Sequence, residues 1–157
     1  MNDDLYFIQL AIDLAREGVQ KNEGGPFGAV VVKEGRVIGR GNNKVTSAND
    51  PTAHAEIVAI REACLYLNSH QLEGCSIYTS CEPCPMCLGA IYWARPDRIV
   101  YACTRKDAAA IEFDDDFIYK EINLPPDQRK ISAVQCGREK GLEVFLLWKN
   151  KNDKVKY

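Results

Sequence analysis

Apolar positions recur along the first twenty residues at the spacing of a helix. Leu5, Ile8, Ile12, Ala15 and Val19 fall three and four residues apart, which predicts one apolar stripe of a first helix. The helix should end near Gly18, before Gly24-Gly25. Ala29-Val30-Val31-Val32 is a β-branched run, the pattern of a strand buried on both faces. Glu34-Gly35 is a tight turn, and Arg36 to Arg40 returns as the antiparallel partner. A polar loop covers Gly41 to Asp50, and Asp50-Pro51-Thr52 signals a helix start with Asp50 or Thr52 as cap. Ile57, Ile60, Cys64 and Leu67 predict the buried stripe of that second helix.

Ser76 to Thr79 reads as another buried strand, and Pro83 and Pro85 suit the opening of a helix from about Cys84 to Ala94. Pro96 forces its end, and Asp97 to Tyr101 reads as a further strand. Beyond it, Asp107 to Ile111 is a weaker helix and Glu112 to Phe117 an acidic, aromatic-edged loop. Ile131 to Cys136 is expected to be a fifth strand, and Arg138 to Asn150 a last helix. Strands alternating with helices, with no repeat or linker, predict a single α/β domain over 1–157, a three-layer α/β/α sandwich.

Composition narrows the class. The 157 residues are 46% hydrophobic and 27% charged, ordinary for a globular domain with one core. No apolar run approaches the roughly 20 residues that span a bilayer. Met1-Asn2-Asp3-Asp4 lacks the basic start of a signal peptide, so a cytoplasmic location is expected. A net charge of -2 argues against a nucleic-acid partner, which usually leaves a basic footprint. In a reducing compartment, seven cysteines with three crowded into Ser80 to Cys87 favour metal binding over disulfides.

The chemistry sits in two short stretches. His54-Ala55-Glu56 falls at the predicted start of one helix, and Pro83-Cys84-Pro85-Met86-Cys87 at the start of the next. Cys84 and Cys87, three apart, face one side, and the free N–H groups of a first turn stabilise thiolates. One histidine nitrogen and two sulfurs leave a fourth tetrahedral position open, which is how catalytic zinc sites differ from structural ones. Zinc brings the pKa of a ligated water to about 7. Glu56 is then the candidate general base toward that water and acid toward substrate. Cys81 could close the site as a fourth ligand, leaving a non-catalytic zinc module. Its place in the turn before the helix speaks against this. Cys64, Cys75, Cys103 and Cys136 are most simply structural.

The joint pattern H-x-E … P-C-x-x-C is the signature of zinc nucleobase deaminases. The chain resembles the cytidine-deaminase-like zinc deaminases and, within them, the short bacterial guanine deaminases. Carrying this are Gly24 to Ala29, Asn49 to Glu56, Thr79 to Cys84 with Arg95-Pro96, Phe113 to Glu121, and Tyr157. The resemblance covers nearly the whole chain and is weakest between about Asp127 and Asn150.

The resemblance implies a central mixed five-stranded sheet, zinc on His54, Cys84 and Cys87, and hydrolysis of guanine to xanthine and ammonia with Glu56 as proton shuttle. It implies that Phe27 and Trp93 contact the purine faces, that Asn43 hydrogen-bonds an edge, and that Asp115 meets the guanine edge. It also implies a homodimer in which the segment 137–157 crosses over and Tyr157 helps close the partner's site. By residue type alone, Phe27 and Trp93 read as core, Asp114-Asp115-Asp116 as a solvated loop, and Tyr157 as a frayed tail. Relatives acting on guanosine, or on adenosine in transfer RNA, share the motifs and are the nearest alternatives.

Overall fold

The structure, a computed structural model, describes residues 3–113 and 115–157. Met1 and Asn2 of the N-terminal stretch, and Asp114 of the acidic loop, lie outside the described residues. The chain divides into two compact units, one running to Asp116 and the other Phe117–Tyr157.

The first unit holds α1 (Asp3–Gln20), β1 (Gly28–Lys33), β2 (Arg36–Asn42), α2 (Val45–Ala48) and α3 (Ala55–Leu67). It continues with β3 (Cys75–Cys81), α4 (Pro85–Ala94), β4 (Arg98–Cys103) and α5 (Arg105–Ala109). The sheet order is β2-β1-β3-β4. β1 is antiparallel to both β2 and β3, and β3 is parallel to β4. The Glu34-Gly35 turn has φ of 49° and 73°, the pair of positive values that a tight hairpin of this twist requires.

Two apolar layers flank the sheet. Phe7 of α1 packs with Val30, Val32 and Tyr78 on one face. Val31 and Ile77 pack with Ala55, Ala59 and Ala63 of α3 and Ile91 of α4 on the other. Burying a side chain the size of Val or Ile contributes about 1.5–3 kcal/mol, so the β-branched run of β1 is a main source of stability. This is the three-layer arrangement anticipated from the sequence.

Several expectations are corrected. The buried face of α1 is Phe7, Ala11, Ala15 and Gly18, while Leu5 and Val19 are exposed. In α3 the most buried positions are alanines rather than Ile57, Ile60, Cys64 and Leu67, which are half-buried. Small residues win because the helix lies very close to β2. A Cβ on Gly41 would sit 2.1 Å from the Ala55 carbonyl oxygen, and one on Gly39 2.3 Å from that of Ala59. Neither Asp50 nor Thr52 caps α3, whose N-cap is His54. Asp50 instead accepts from the Thr52 N–H at 2.8 Å, closing a local Asx turn. The loop predicted from Gly41 to Asp50 contains the short helix α2.

The second unit holds α6 (from Asp116 at the boundary to Ile122), a single 3₁₀ turn at Pro126–Gln128, and α7 (Arg138–Asn150). The fifth strand expected at Ile131 to Cys136 is absent, and the described residues form four strands. That segment is irregular, with Ile131 81% and Val134 86% exposed. β-Propensity without a partner strand does not make a strand. The apolar run of α7 is likewise open, with Phe145 72% and Leu147 74% exposed. No helix among the described residues is long and apolar enough to cross a membrane.

Candidate metal centre and purine-sized cavity

Two helix starts meet at the C-terminal end of β3. His54 is the N-cap of α3 in extended conformation, and Cys84 is the N-cap of α4. Pro85 follows Cys84 at the first helical position, where its missing N–H leaves nothing unpaired. The Cys84 sulfur takes over the capping role, accepting from the Cys87 N–H at 3.4 Å. The close approach of α3 to Gly41 brings His54 and Glu56 to the same place.

His54, Cys84 and Cys87 form a cluster whose ligand atoms all lie within 4.8 Å of one another. His54 Nδ1 is 3.5 Å from the Cys84 sulfur and 3.4 Å from that of Cys87. A tetrahedral zinc with bonds of about 2.3 Å to sulfur and about 2.0 Å to nitrogen needs N···S edges of roughly 3.5 Å. The donor set therefore fits zinc in both type and spacing. Cys81 stands outside the cluster. It ends β3, and its sulfur lies 3.5 Å from the Thr104 carbonyl oxygen.

The three donors perturb one another, and Cys84 is the one held as thiolate. The Cys84 thiol is lowered to about 4, first by its hydrogen bond with Cys87 and then by His54. Cys87, sharing that proton, is pushed up, first by Cys84 and then by burial. His54 is raised chiefly by its contact with Cys84. Burial pushes Cys81 up to about 11, which keeps it a thiol. Glu56 is buried beside the cluster, 3.5 Å from the Cys87 sulfur, and burial raises its pKa.

His54, Cys84 and Glu56 face a cavity of about 220 Å³. Its walls include Phe27, Asn43, Asp115 and Glu56, as the sequence anticipated, together with His54 and Cys84. They also include Phe113, Glu82, Gly25 and Thr46, which sequence reasoning did not single out as site residues. Phe27 and Phe113 meet edge to face, with ring centroids 4.9 Å apart and planes at 89°. Glu82 accepts from the Arg105 N–H at 3.0 Å, tying the end of β3 to the segment that leads to Phe113. Trp93 is on α4, 63% exposed, and does not line this cavity. Tyr157 is the last residue of the second unit and is 67% exposed.

Asn43 is buried at the cavity edge with its amide orientation fixed. Its Oδ1 accepts from the Gly25 N–H at 3.2 Å and from the Val45 N–H at 3.1 Å. Only the oxygen can accept two N–H groups, so the Nδ2 donors are turned away from this backbone. Among the described residues Nδ2 has no hydrogen-bond partner, although no buried side-chain nitrogen or oxygen is left unpaired. It therefore opens into the cavity that Asn43 lines.

A helix-start histidine with a neighbouring glutamate, two cysteines on a second helix start, and a small, mainly apolar cavity define a mononuclear zinc-hydrolase centre. Residues 1–103 match the family described as the cytidine and deoxycytidylate deaminase zinc-binding region, and the chain belongs to that family of zinc-dependent deaminases. The chain is 54% identical to guanine deaminase from Bacillus subtilis (strain 168) over 151 residues, 96% of this chain and 97% of that protein. An X-ray structure of guanine deaminase from Bacillus subtilis superposes with a TM-score of 0.94 at 54% identity, covering 97% of each chain. A tRNA-specific adenosine deaminase from Aquifex aeolicus is 43% identical over 101 residues, 64% of this chain and 66% of that one.

Proposed function

We propose that the protein hydrolyses guanine to xanthine and ammonia, with Glu56 moving the protons. The observation that carries the reading is the cavity that joins the His54–Cys84–Cys87 cluster to a fixed amide donor, an aromatic corner and a carboxylate. The near full-length match to a guanine deaminase at 54% identity supports the same substrate; tRNA-specific relatives match at lower identity, 43% and 36%. A net charge of -2 also fits a small purine better than an RNA.

Zinc held by His54, Cys84 and Cys87 supplies Lewis acidity that makes water nucleophilic at neutral pH. The chain's own residues do the rest. Phe27 and Phe113 give the flat base an apolar face and an apolar edge. Asn43 Nδ2 donates to an acceptor on the purine edge, and the Asp115 carboxylate accepts from the N–H donors of guanine. A site built on such bonds rejects analogues lacking the donor by up to about 10⁴ to 10⁵. Glu56 takes a proton from water as its oxygen adds to the carbon bearing the amino group, and delivers it to the adjacent ring nitrogen. It then passes the second proton to the amine, which leaves as ammonia, and the carbon becomes the new carbonyl. Burial raises the proton affinity of Glu56, which suits a group that must hold a proton between these steps.

The finer parts of the reading concern the assembly. The exposed apolar run of α7 is a surface that an assembly would cover. It supports a homodimer in which residues 137–157 cross over, Tyr157 closes the partner's cavity, and Trp93 meets the purine in the closed site. A cytoplasmic location fits the free cysteines and the metal chemistry. Turnover in ¹⁸O-labelled water tests the proposed reaction. Xanthine should carry one solvent oxygen per ammonia released; unlabelled xanthine would overturn a hydrolytic route.

A further inference from the structure

Asn43 owes its orientation to a neighbour that has no side chain. A Cβ built on Gly24 would lie 2.2 Å from Asn43 Oδ1 and 2.5 Å from its carbonyl oxygen. Real Cβ atoms do not approach so closely. The φ of Gly24 is not in the left-handed region, since the positive-φ glycines are Gly35, Gly74 and Gly137. Its φ therefore makes no demand for glycine, whereas the space beside Asn43 does. Gly28, Gly39 and Gly41 are also pressed, but against helix backbone, at Ala11, Ala59 and Ala55. Gly24 is pressed instead against Asn43, its side-chain oxygen and its backbone carbonyl together, and Asn43 lines the cavity. The next N–H, that of Gly25, donates to the same Oδ1.

We propose that Gly24 is a positioning residue for the purine pocket. It lets the 24–25 backbone lie flat on the Asn43 carboxamide, so that Gly25 and Val45 saturate the oxygen and only the Nδ2 donors face the substrate. Asn43 is thereby a reader of one polarity, satisfied by an acceptor on the base and not by a donor. A side chain at position 24 displaces Oδ1, frees the amide to rotate and removes that selectivity. The inference rests on the purine reading, and acts on binding rather than on the metal or the proton shuttle.

A double-mutant cycle of Gly24→Ala and Asn43→Ala in the zinc-loaded protein tests it, read by kcat and KM for guanine and by zinc per chain. Gly24→Ala should lower kcat/KM by roughly 10²-fold, the size of effect that a displacement of about 1 Å produces. The loss should fall mainly on KM, with zinc retained. The loss caused by Gly24→Ala should be smaller in the Asn43→Ala background than in the native one, because the carboxamide contact is then gone while the contact with the residue 43 carbonyl oxygen remains. Losses that multiply, or an unchanged KM in Gly24→Ala, would overturn the proposal. If Gly24→Ala does not fold, recovery of folding in the double variant supports the contact, and continued failure assigns the need for glycine to the residue 43 carbonyl and overturns the proposal. If the native protein leaves guanine untouched, the substrate reading alone is lost. The Asn43 side-chain amide resonances then decide: they shift in Gly24→Ala if the contact orients the amide, and stay unchanged if it does not.

Discussion

Oε2 of Glu56 lies 3.5 Å from the sulfur of Cys87, although the two residues are 31 apart in sequence. The carboxylate is therefore a neighbour of the metal donors without being one of them. Its raised pKa comes first from burial. Glu56→Gln keeps the shape and removes the proton carrier. It should cost about 10² to 10⁴ in kcat, the usual worth of positioned proton transfer, with zinc content unchanged. Atomic absorption beside steady-state kinetics checks both halves. A variant that turns over normally would reduce Glu56 to a structural acid.

Metal content separates the three donors from Cys81. Chelation should abolish activity and lower the melting temperature, because the binding free energy of the metal is part of the stability of the folded state. Added zinc should restore both. Cys81→Ser should keep zinc, since its sulfur lies against the Thr104 carbonyl oxygen and outside the cluster, whereas His54→Ala should not. Metal-to-protein ratios after dialysis read all three.

Asp115 stands in the cavity wall beside the metal donors. Asp115→Asn should reduce kcat/KM for guanine by about ten- to a hundred-fold, the worth of a hydrogen bond to a charged group. Zinc content should not move. Unchanged kinetics would make this stretch the solvated acidic loop that its composition alone suggests.

The N-terminal helix is pinned to the sheet through Asp4, and this gives a pH signature. Asp4 accepts from the Tyr78 hydroxyl at 2.8 Å and pairs with Arg98. Arg98 first, and Tyr78 second, hold its carboxyl below the ordinary value of 3.8. A carboxyl depressed in the folded state stabilises it above the unfolded value, and that contribution is lost as pH falls through the lower folded value. Native protein should therefore be more stable than Asp4→Asn at neutral pH, with the gap closing below about pH 3.8. Denaturant titrations of both proteins across that range measure the gap. A constant difference would show that the ion pair contributes little.

The sequence made the metal centre readable because the chemistry demands fixed residue types at fixed short spacings. His54-x-Glu56 spans the N-cap and first turn of one helix and Cys84-x-x-Cys87 those of another, so each motif is complete within a few neighbouring residues. Packing faces were harder to read. Leu5 and Val19 have the right periodicity, yet of the expected stripe only Ala15 is buried, alongside Phe7 and Ala11. Helical spacing does not say which of two apolar stripes a sheet will take. Ile131 to Cys136 has strand-like composition and no strand to pair with. Phe113 and Glu82 lie inside stretches that carry the resemblance, but their residue types alone do not mark them as cavity lining. Gly24 was visible as punctuation, while its contact with Asn43 required coordinates.

The most direct test is ammonia release by the zinc-loaded protein from guanine, guanosine, adenine and cytosine in parallel. Release from guanine well above the other three, with xanthine as the product, is the result predicted. Release from guanosine but not from guanine, or from adenine or cytosine in its place, would contradict the assignment.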